Sequence, residues 1–357
     1  MLRRLKNILV TGGAGFIGSN FIHYIFKNTS FCEKIINVDK LTYAGNLENL
    51  VEIDNKYGGE RYFFKKADIC DFGVIKNIFE KYDIDTVVNF AAESHVDRSI
   101  FGPKEFIQTN IMGTFTLLEV ARENWKGRED VLFHHISTDE VYGSIEEGGY
   151  FYEDTPYRPN SPYSASKASS DHLVRAYNKT YDLPTTISNC SNNYGPYQFP
   201  EKLVPLMILN ILEEKPLPVY GDGKNIRDWL YVEDHCLAIW KIINHGRNSE
   251  TYNIGGENEW ENIKLVNFLC EKIAKIKGKD KDYYKRLITF VKDRPGHDRR
   301  YAINCDKIKN ELGWKQQNNF EGGLDTTIKW YMSNQDWVDR VRSGEYRKWL
   351  EKNYNSR

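Results

Sequence analysis

The chain has 357 residues, 40% hydrophobic and 28% charged, with a formal net charge of −1 at pH 7. Its length and apolar content suit a globular protein with a large core and two lobes, and the near-neutral balance gives no electrostatic reason to expect nucleic acid or an anionic membrane as partner. No apolar run approaches the roughly 20 residues that span a bilayer, and the apolar stretch in MLRRLKNILVTGG is too short for a signal peptide.

In chain order, the apolar runs Asn7–Val10, Lys34–Val38, Tyr62–Lys65, Thr86–Phe90, Val131–Ile136 and Thr185–Ser188 predict strands. Several are apolar throughout, as strands covered on both faces are. Between them, Gly15–Lys27, Val74–Tyr82, Pro103–Asn124 and Pro162–Tyr181 carry helical periodicity. The alternation predicts an α/β fold, a Rossmann-like doubly wound parallel sheet over residues 1–190. After Asn189 the pattern becomes irregular, with Gly, Pro, Asn and Tyr clustered in SNNYGPYQFPEK and KPLPVYGDGKN. That shift predicts a smaller C-terminal α/β lobe over residues 191–357, with segments around 226–255 returning to the first domain. The stretch NQDWVDRVRSGEYRKWLEKNY reads as an amphipathic helical tail. Six scattered cysteines (Cys32, Cys70, Cys190, Cys236, Cys270, Cys305) without a CxxC pair predict reduced thiols in a cytoplasmic protein, and no metal-ligand spacing is present.

TGGAGFIG (11–18) follows the first predicted strand and opens the first helix. Gly12, Gly15 and Gly18 suit a tight turn, close approach of backbone to a pyrophosphate and helix–strand contact, with the helix N-terminus facing the anion. An ordinary strand–helix turn is the bland alternative. Asp39, about 20 residues on at the end of the second strand, is where a ribose-binding acid belongs. It would accept from a 2′-OH and repel a 2′-phosphate, which favours NAD over NADP, although Lys40 next door blurs this. A turn or cap is the competing role for Asp39. Asp68 and Ile69 end the third strand, where an adenine could be held. Ala91 and Ala92 end the fourth with small side chains that leave room for a cofactor, or simply pack closely.

SPYSASKASSDHL places Tyr163 and Lys167 on one helix face at i,i+4. A nearby ammonium and an oxidised nicotinamide would favour the phenolate, letting Tyr163 take a proton from an alcohol. Standing alone, the pair would read as surface Tyr and Lys. Ser137 or Thr138 could complete a hydroxyl–Tyr–Lys set. HISTDEVYG sets Asp139 and Glu140 side by side at the end of a buried strand. Adjacent carboxylates repel, so they are either a solvated cap or two groups with separate jobs.

TGGAGFIGSNF, DKLTYAGN, NFAAESHVDRS, HHISTDEVYG, SPYSASKASSDHLV, CSNNYGPYQFPEK, IRDWLYVEDH, TYNIGG and DRPGHDRRYAI together resemble the dTDP-glucose 4,6-dehydratase family of the extended short-chain dehydrogenase/reductase superfamily. The resemblance implies a catalytic set of Thr138, Asp139, Glu140, Tyr163 and Lys167. It implies three steps: oxidation at C4 with Tyr163 as base, loss of water across C5/C6 with Glu140 as base and Asp139 as acid, and hydride return to C6. It implies NAD as cofactor, contacting Gly12, Gly15, Phe16, Ile17, Gly18, Asp39, Lys40, Leu41, Thr42, Asp68, Ile69, Ala91, Ala92, Ser94, Thr109, Tyr163, Lys167 and Asn193. It implies dTDP-glucose as substrate, held in the C-terminal lobe and contacting Ser94, Thr138, Asn192, Lys202, Leu203, Pro218, Tyr220, Arg227, Asn262, Asp293, Arg294 and His297. Arg suits the diphosphate because its planar fork donates bidentately. A homodimer through Pro103–Asn124 and Pro162–Tyr181, and a place in deoxysugar synthesis with rhamnose among the end products, also follow from the resemblance. A UDP-hexose 4-epimerase or another sugar-nucleotide dehydratase is the near alternative, and the epimerase has no use for an Asp-Glu pair. A silent NAD-binding scaffold is the remote one.

Overall fold

The computed structural model describes residues 3, 5–31, 33–145 and 148–344. Cys32 and the part of the predicted helical tail beyond residue 344 lie outside them. The strands are β1 (Asn7–Thr11), β2 (Lys34–Asp39), β3 (Tyr62–Lys66), β4 (Thr86–Asn89), β5 (Leu132–Thr138), β6 (Thr185–Cys190), β7 (Asn192–Tyr194), β8 (Leu217–Tyr220), β9 (Ile226–Tyr231), β10 (Thr251–Ile254), β11 (Glu259–Glu261) and β12 (Ile288–Val291).

Seven strands form one parallel sheet in the order β10-β6-β5-β4-β1-β2-β3. Chain order reverses between β1 and β4, so a crevice opens at the carboxyl ends of those two strands, where doubly wound sheets bind ligands. Alternate residues of β1 serve opposite faces. Ile8 and Val10 pack with Phe21, Ile22 and Ile25 of helix Phe16–Asn28 and with Ile239 and Ile243 of helix Val232–His245. Leu9 packs on the other side with Ile75, Leu117 and Val174. Every residue of β1 from Ile8 onward is therefore apolar or hydrogen-bonded, which explains its continuous apolar run.

Strands β5 and β6 run two residues past the expected ends. Ser137 pairs with Asn189 and Thr138 with Cys190, so the backbone ladder continues where hydrophobicity stops. That extension carries Thr138 to the rim of the crevice. The predicted helix Pro103–Asn124 is interrupted by a π-helical turn at Ile107–Gly113. The turn lets Asn110 bridge Glu93 and Ser166 with its side-chain amide.

The smaller lobe pairs β9 with β7 and β11, and β8 with β12. Its core joins helices Leu203–Leu212, Asn262–Ile276 and Phe320–Ser333 through Met207, Ile208, Leu269, Ile273, Leu324 and Ile328. Of residues 226–255, β10 lies on the large sheet and helix Val232–His245 packs beneath it, whereas β9 stays with the small sheet. Among the described residues no helix is long and apolar enough to cross a membrane, and no cluster of His, Cys, Asp or Glu could hold a metal ion.

Candidate active site

Gly12 sits at φ 68°, and a Cβ there would lie 2.7 Å from the Ala91 nitrogen. Both backbone conformation and contact therefore exclude a side chain at this turn. A Cβ on Gly18 would lie 2.4 Å from the Gly12 carbonyl oxygen, so the helix approaches the loop only without one. Gly15 precedes helix Phe16–Asn28 with no side-chain cap, which leaves the first-turn amides open to an anion. Asp39 accepts from the Ala14 amide at 3.0 Å and the Leu41 amide at 2.8 Å. Burial raises its pKa, and these two bonds oppose that. Lys40 is paired with Asp68 at 2.7 Å, so its ammonium is engaged with another acid rather than free beside Asp39.

One cavity is lined by Gly12, Gly15, Phe16, Ile17, Gly18, Asp39, Lys40, Thr42, Asp68, Ile69, Ala91, Ala92, Ser94 and Thr109, and equally by Thr138, Asp139, Glu140, Tyr163, Lys167, Asn192, Asn193 and Lys202. Leu41, at a positive φ of 59°, packs its side chain against Ala14 and Leu47 next to the cavity. Leu203, Pro218, Tyr220, Arg227, Asn262, Asp293, Arg294 and His297 also lie off this cavity. Leu203 packs on the small-lobe core, and Pro218 pairs with Thr289 between β8 and β12. Asn262 opens its helix with a buried Oδ1 that has no hydrogen-bond partner among the described residues.

The remaining five form a second group at the lobe boundary. Tyr220 donates to Asp97 at 3.3 Å, and Arg294 stands 3.6 Å from the same carboxylate. His297 contacts Asp293 at 2.6 Å. Arg227 donates to the Asp298 carbonyl at 2.9 Å and lies over the Tyr301 ring. Asp228, next to Arg227 in the chain, accepts from the Gly256 and Asn258 amides.

The two groups meet at the acids. Thr138 accepts from the Glu140 amide and donates to Asp139 Oδ1 at 3.4 Å. Asp139 is 2% exposed, and its Oδ2 has no hydrogen-bond partner among the described residues. Burial, then the charges of Glu140 and Asp228, push its pKa well above the carboxylate range. Burial also raises Glu140, but Arg294, Arg227 and Lys202 pull it back. Tyr163 is raised well above its ordinary value by burial and by Glu140, with a hydrogen bond to Thr138 opposing. The Lys167 ammonium donates to the Ile136 carbonyl at 2.8 Å. Burial lowers its pKa to about 8, with Asp171 opposing.

The family model described as GDP-mannose 4,6 dehydratase matches residues 9–327. A dTDP-glucose 4,6-dehydratase of Escherichia coli is 56% identical, the match covering 98% of this chain and 99% of that protein. The crystal structure of a dTDP-glucose 4,6-dehydratase from Bacillus anthracis in complex with NAD is 48% identical, with a TM-score of 0.83, over 94% of this chain and 99% of that one. The NAD-bound enzyme of the same name from Streptomyces venezuelae is 44% identical, with a TM-score of 0.86 and the same coverage. The chain belongs to the dTDP-glucose 4,6-dehydratase family.

Within this family member, two groups of side chains went unassigned by sequence reasoning. Tyr43, Glu93 and Glu201 line the cavity, with Tyr43 donating to Glu201 at 3.0 Å. Both Tyr43 and Glu201 sit inside motifs quoted above, but nothing in their spacing pairs them. Beneath Lys167 lies a buried network. Thr11 donates to Asn89 Oδ1 at 2.6 Å, and Asn89 Nδ2 faces His135 Nδ1 at 3.1 Å. His135 Nε2 stands between the Lys167 ammonium at 3.3 Å and Asp171 Oδ1 at 3.5 Å. Asp171 Oδ2 accepts from Ser137 at 2.8 Å and Tyr157 at 2.9 Å. Two histidines in an otherwise apolar buried strand, and an acid at i+4 from Lys167, were the available signals.

Proposed function

We propose that this chain is a dTDP-glucose 4,6-dehydratase that converts dTDP-glucose to dTDP-4-keto-6-deoxyglucose and water. One observation carries the reading: two adjacent carboxyls, Asp139 buried with an unpartnered Oδ2 and Glu140 beside it, and a tyrosine one helical turn from a lysine line the same cavity as the dinucleotide loop. The glycine cradle, the uncapped helix start and Asp39 fit NAD.

Tyr163 takes the proton of the C4 hydroxyl, with Thr138 hydrogen-bonded to the same oxygen. NAD, which Gly12, Gly15, Gly18 and Asp39 would hold, would supply a positive charge and a reversible acceptor for the C4 hydride. The C4 ketone acidifies the C5 hydrogen, which Glu140 removes as a proton. Asp139 gives its proton to the departing C6 hydroxyl, and water leaves. Glu140 returns a proton to C5, and the proton that Tyr163 took from the C4 hydroxyl is passed back to Asp139 through solvent, which resets all three groups with no net redox change. The different surroundings of the two acids support these opposite roles. Ser94, Asn192 and Lys202 hold the sugar side. Leu203, Pro218, Tyr220, Asn262, Asp293 and His297 hold the nucleotide side, with Arg227 and Arg294 on the diphosphate. The protein acts as a homodimer, its partner surface formed by the helical segments at Pro103–Asn124 and Pro162–Tyr181, where Ile107, Met112, Phe115 and Tyr181 are exposed.

The test is to incubate purified protein with dTDP-glucose, without added NAD, and follow the keto product by its absorbance in alkali, with UDP-glucose and CDP-glucose alongside. Product from dTDP-glucose alone supports the reading. Conversion of UDP-glucose to UDP-galactose would make it an epimerase. No product from any nucleotide sugar, even with NAD added, would overturn the enzyme reading.

A further inference from the structure

The dinucleotide loop is tied to the other lobe. Ala14, in the middle of that loop, is held at both ends of its backbone. Its N–H donates to Asp39, while its carbonyl accepts from the Asn46 amide at 2.9 Å and from Asn49 Nδ2 at 3.0 Å. That carbonyl shares its rigid peptide plane with the N–H of Gly15. The Gly15 N–H donates to the Gly12 carbonyl at 3.1 Å, so fixing the Ala14 oxygen fixes the glycine turn from which the anion-facing helix start at Phe16 departs.

Asn49 is in turn fixed from outside the large sheet. Its Oδ1 accepts from the Trp337 indole N–H at 3.0 Å, and its backbone carbonyl contacts His23 Nε2 at 2.7 Å. An indole N–H can only donate, so the Asn49 amide is locked with its oxygen toward Trp337 and its nitrogen toward Ala14. Trp337 belongs to helix Gln335–Ser343 and to the small-lobe core, among Trp330, Tyr331 and Tyr197. One turn on, Arg340 forks onto Glu48 with 2.9 and 3.0 Å contacts, clamping the segment that carries Asn49. His23 stacks on Tyr197 from the small lobe, closing the same contact from helix Phe16–Asn28. All three centres of the relay are buried: Ala14 is 0%, Asn49 2% and Trp337 6% exposed. Water cannot substitute readily for a lost partner there.

We propose that Trp337 and Asn49 are positioning residues for the dinucleotide: the small lobe, through the Trp337–Asn49–Ala14 relay, sets the loop's amides and so retains NAD through the cycle. The inference rests on the NAD part of the reading above and not on the sugar substrate. It has a functional consequence, since an enzyme that regenerates its cofactor internally gains from losing it rarely between turnovers.

The experiment uses the full chain as purified. NAD retained per protomer and the NAD dissociation constant are measured without any sugar nucleotide, for wild type, Trp337→Phe, Asn49→Ala and Trp330→Phe. Trp337→Phe keeps a ring in the aromatic cluster and removes only the indole hydrogen bond. Trp330→Phe thins the same cluster without removing a bond to Asn49. We expect the dissociation constant to rise about three- to tenfold in Trp337→Phe, at least as far in Asn49→Ala, and to stay at the wild-type value in Trp330→Phe. Activity lost by the first two without added NAD is recovered when NAD is supplied. Equal retention in all four proteins would overturn the proposal, as would an equal loss in Trp330→Phe, which would mark a general packing effect. If Trp337→Phe does not fold, Asn49→Ala decides. A wild type that neither retains nor binds NAD would instead overturn the cofactor reading itself.

Discussion

Asp139 and Glu140 are neighbours in the chain but meet different surroundings. Asp139 is raised by burial, by Glu140 and by Asp228 with Arg227 opposing, while Glu140 is raised by burial with Arg294, Arg227 and Lys202 opposing. The adjacent acids were legible in the sequence as a pair. Their division of labour was not, because the arginines that separate them come from β9 and from the DRPGH segment, far along the chain. Asp139→Asn and Glu140→Gln should each lower kcat by about 10²- to 10⁴-fold while leaving dTDP-glucose binding measurable. Asp139→Asn should also stabilise the fold. Its folded pKa is raised, so the native state holds a proton that the unfolded carboxyl gives up near pH 4. The Asp139 contribution is fully present below that value and is lost as pH rises through the folded pKa. At pH 7 to 8 the variant should melt above wild type, and the difference should shrink in acid, as differential scanning calorimetry across pH can show.

At the element scale, helix Pro162–Tyr181 positions the chemistry. Pro162 starts it, and Ser161 and Ser164 form a reciprocal capping box. Both signals stood in the sequence, as did the Tyr163–Lys167 spacing. Ser161→Ala should cost about 1 kcal/mol of stability in a denaturant titration. What the spacing could not reveal is that Lys167 faces β5, where His135 and the Ile136 carbonyl meet its ammonium. Asp171, one turn on, faces Ser137 and His135 of β5 and Tyr157, with Arg175 bonded to Tyr157 behind it. Its carboxylate opposes the fall of the Lys167 pKa to about 8. Asp171→Asn removes that support and lowers the lysine pKa further. The alkaline limb of the kcat profile should then move to lower pH, measured with dTDP-glucose over pH 6 to 9. An unchanged limb would separate Asp171 from Lys167.

At the scale of the whole molecule, two features reach beyond the crevice. Ile107, Met112 and Phe115 lie exposed along the helical segments near the π turn, and Tyr181 lies exposed at the end of helix Pro162–Tyr181. A second copy of the chain would cover such a face isologously. Light scattering after size exclusion should give twice the protomer mass, and Phe115→Lys should shift it toward the monomer. The second feature is the lobe boundary. There Asp97, from the segment after β4, meets Tyr220 and Arg294 of the small lobe. A sugar-nucleotide diphosphate drawn to Arg294 would have to compete with Asp97 for it.

The sequence by itself determined the parallel sheet, the dinucleotide loop and the reactive segments. Each is a local pattern: an apolar run, a glycine that a turn requires, a helix cap or an i,i+4 pair. The strand ends at Thr138 and Cys190 were already nonlocal, because ladder pairing outlasted the apolar run. Only the tertiary structure decided which charges surround each acid, what lies under Lys167 and how Trp337 reaches Ala14. These depend on charges and hydrogen-bond partners brought together from separate elements, and their strength comes from burial that no single segment possesses.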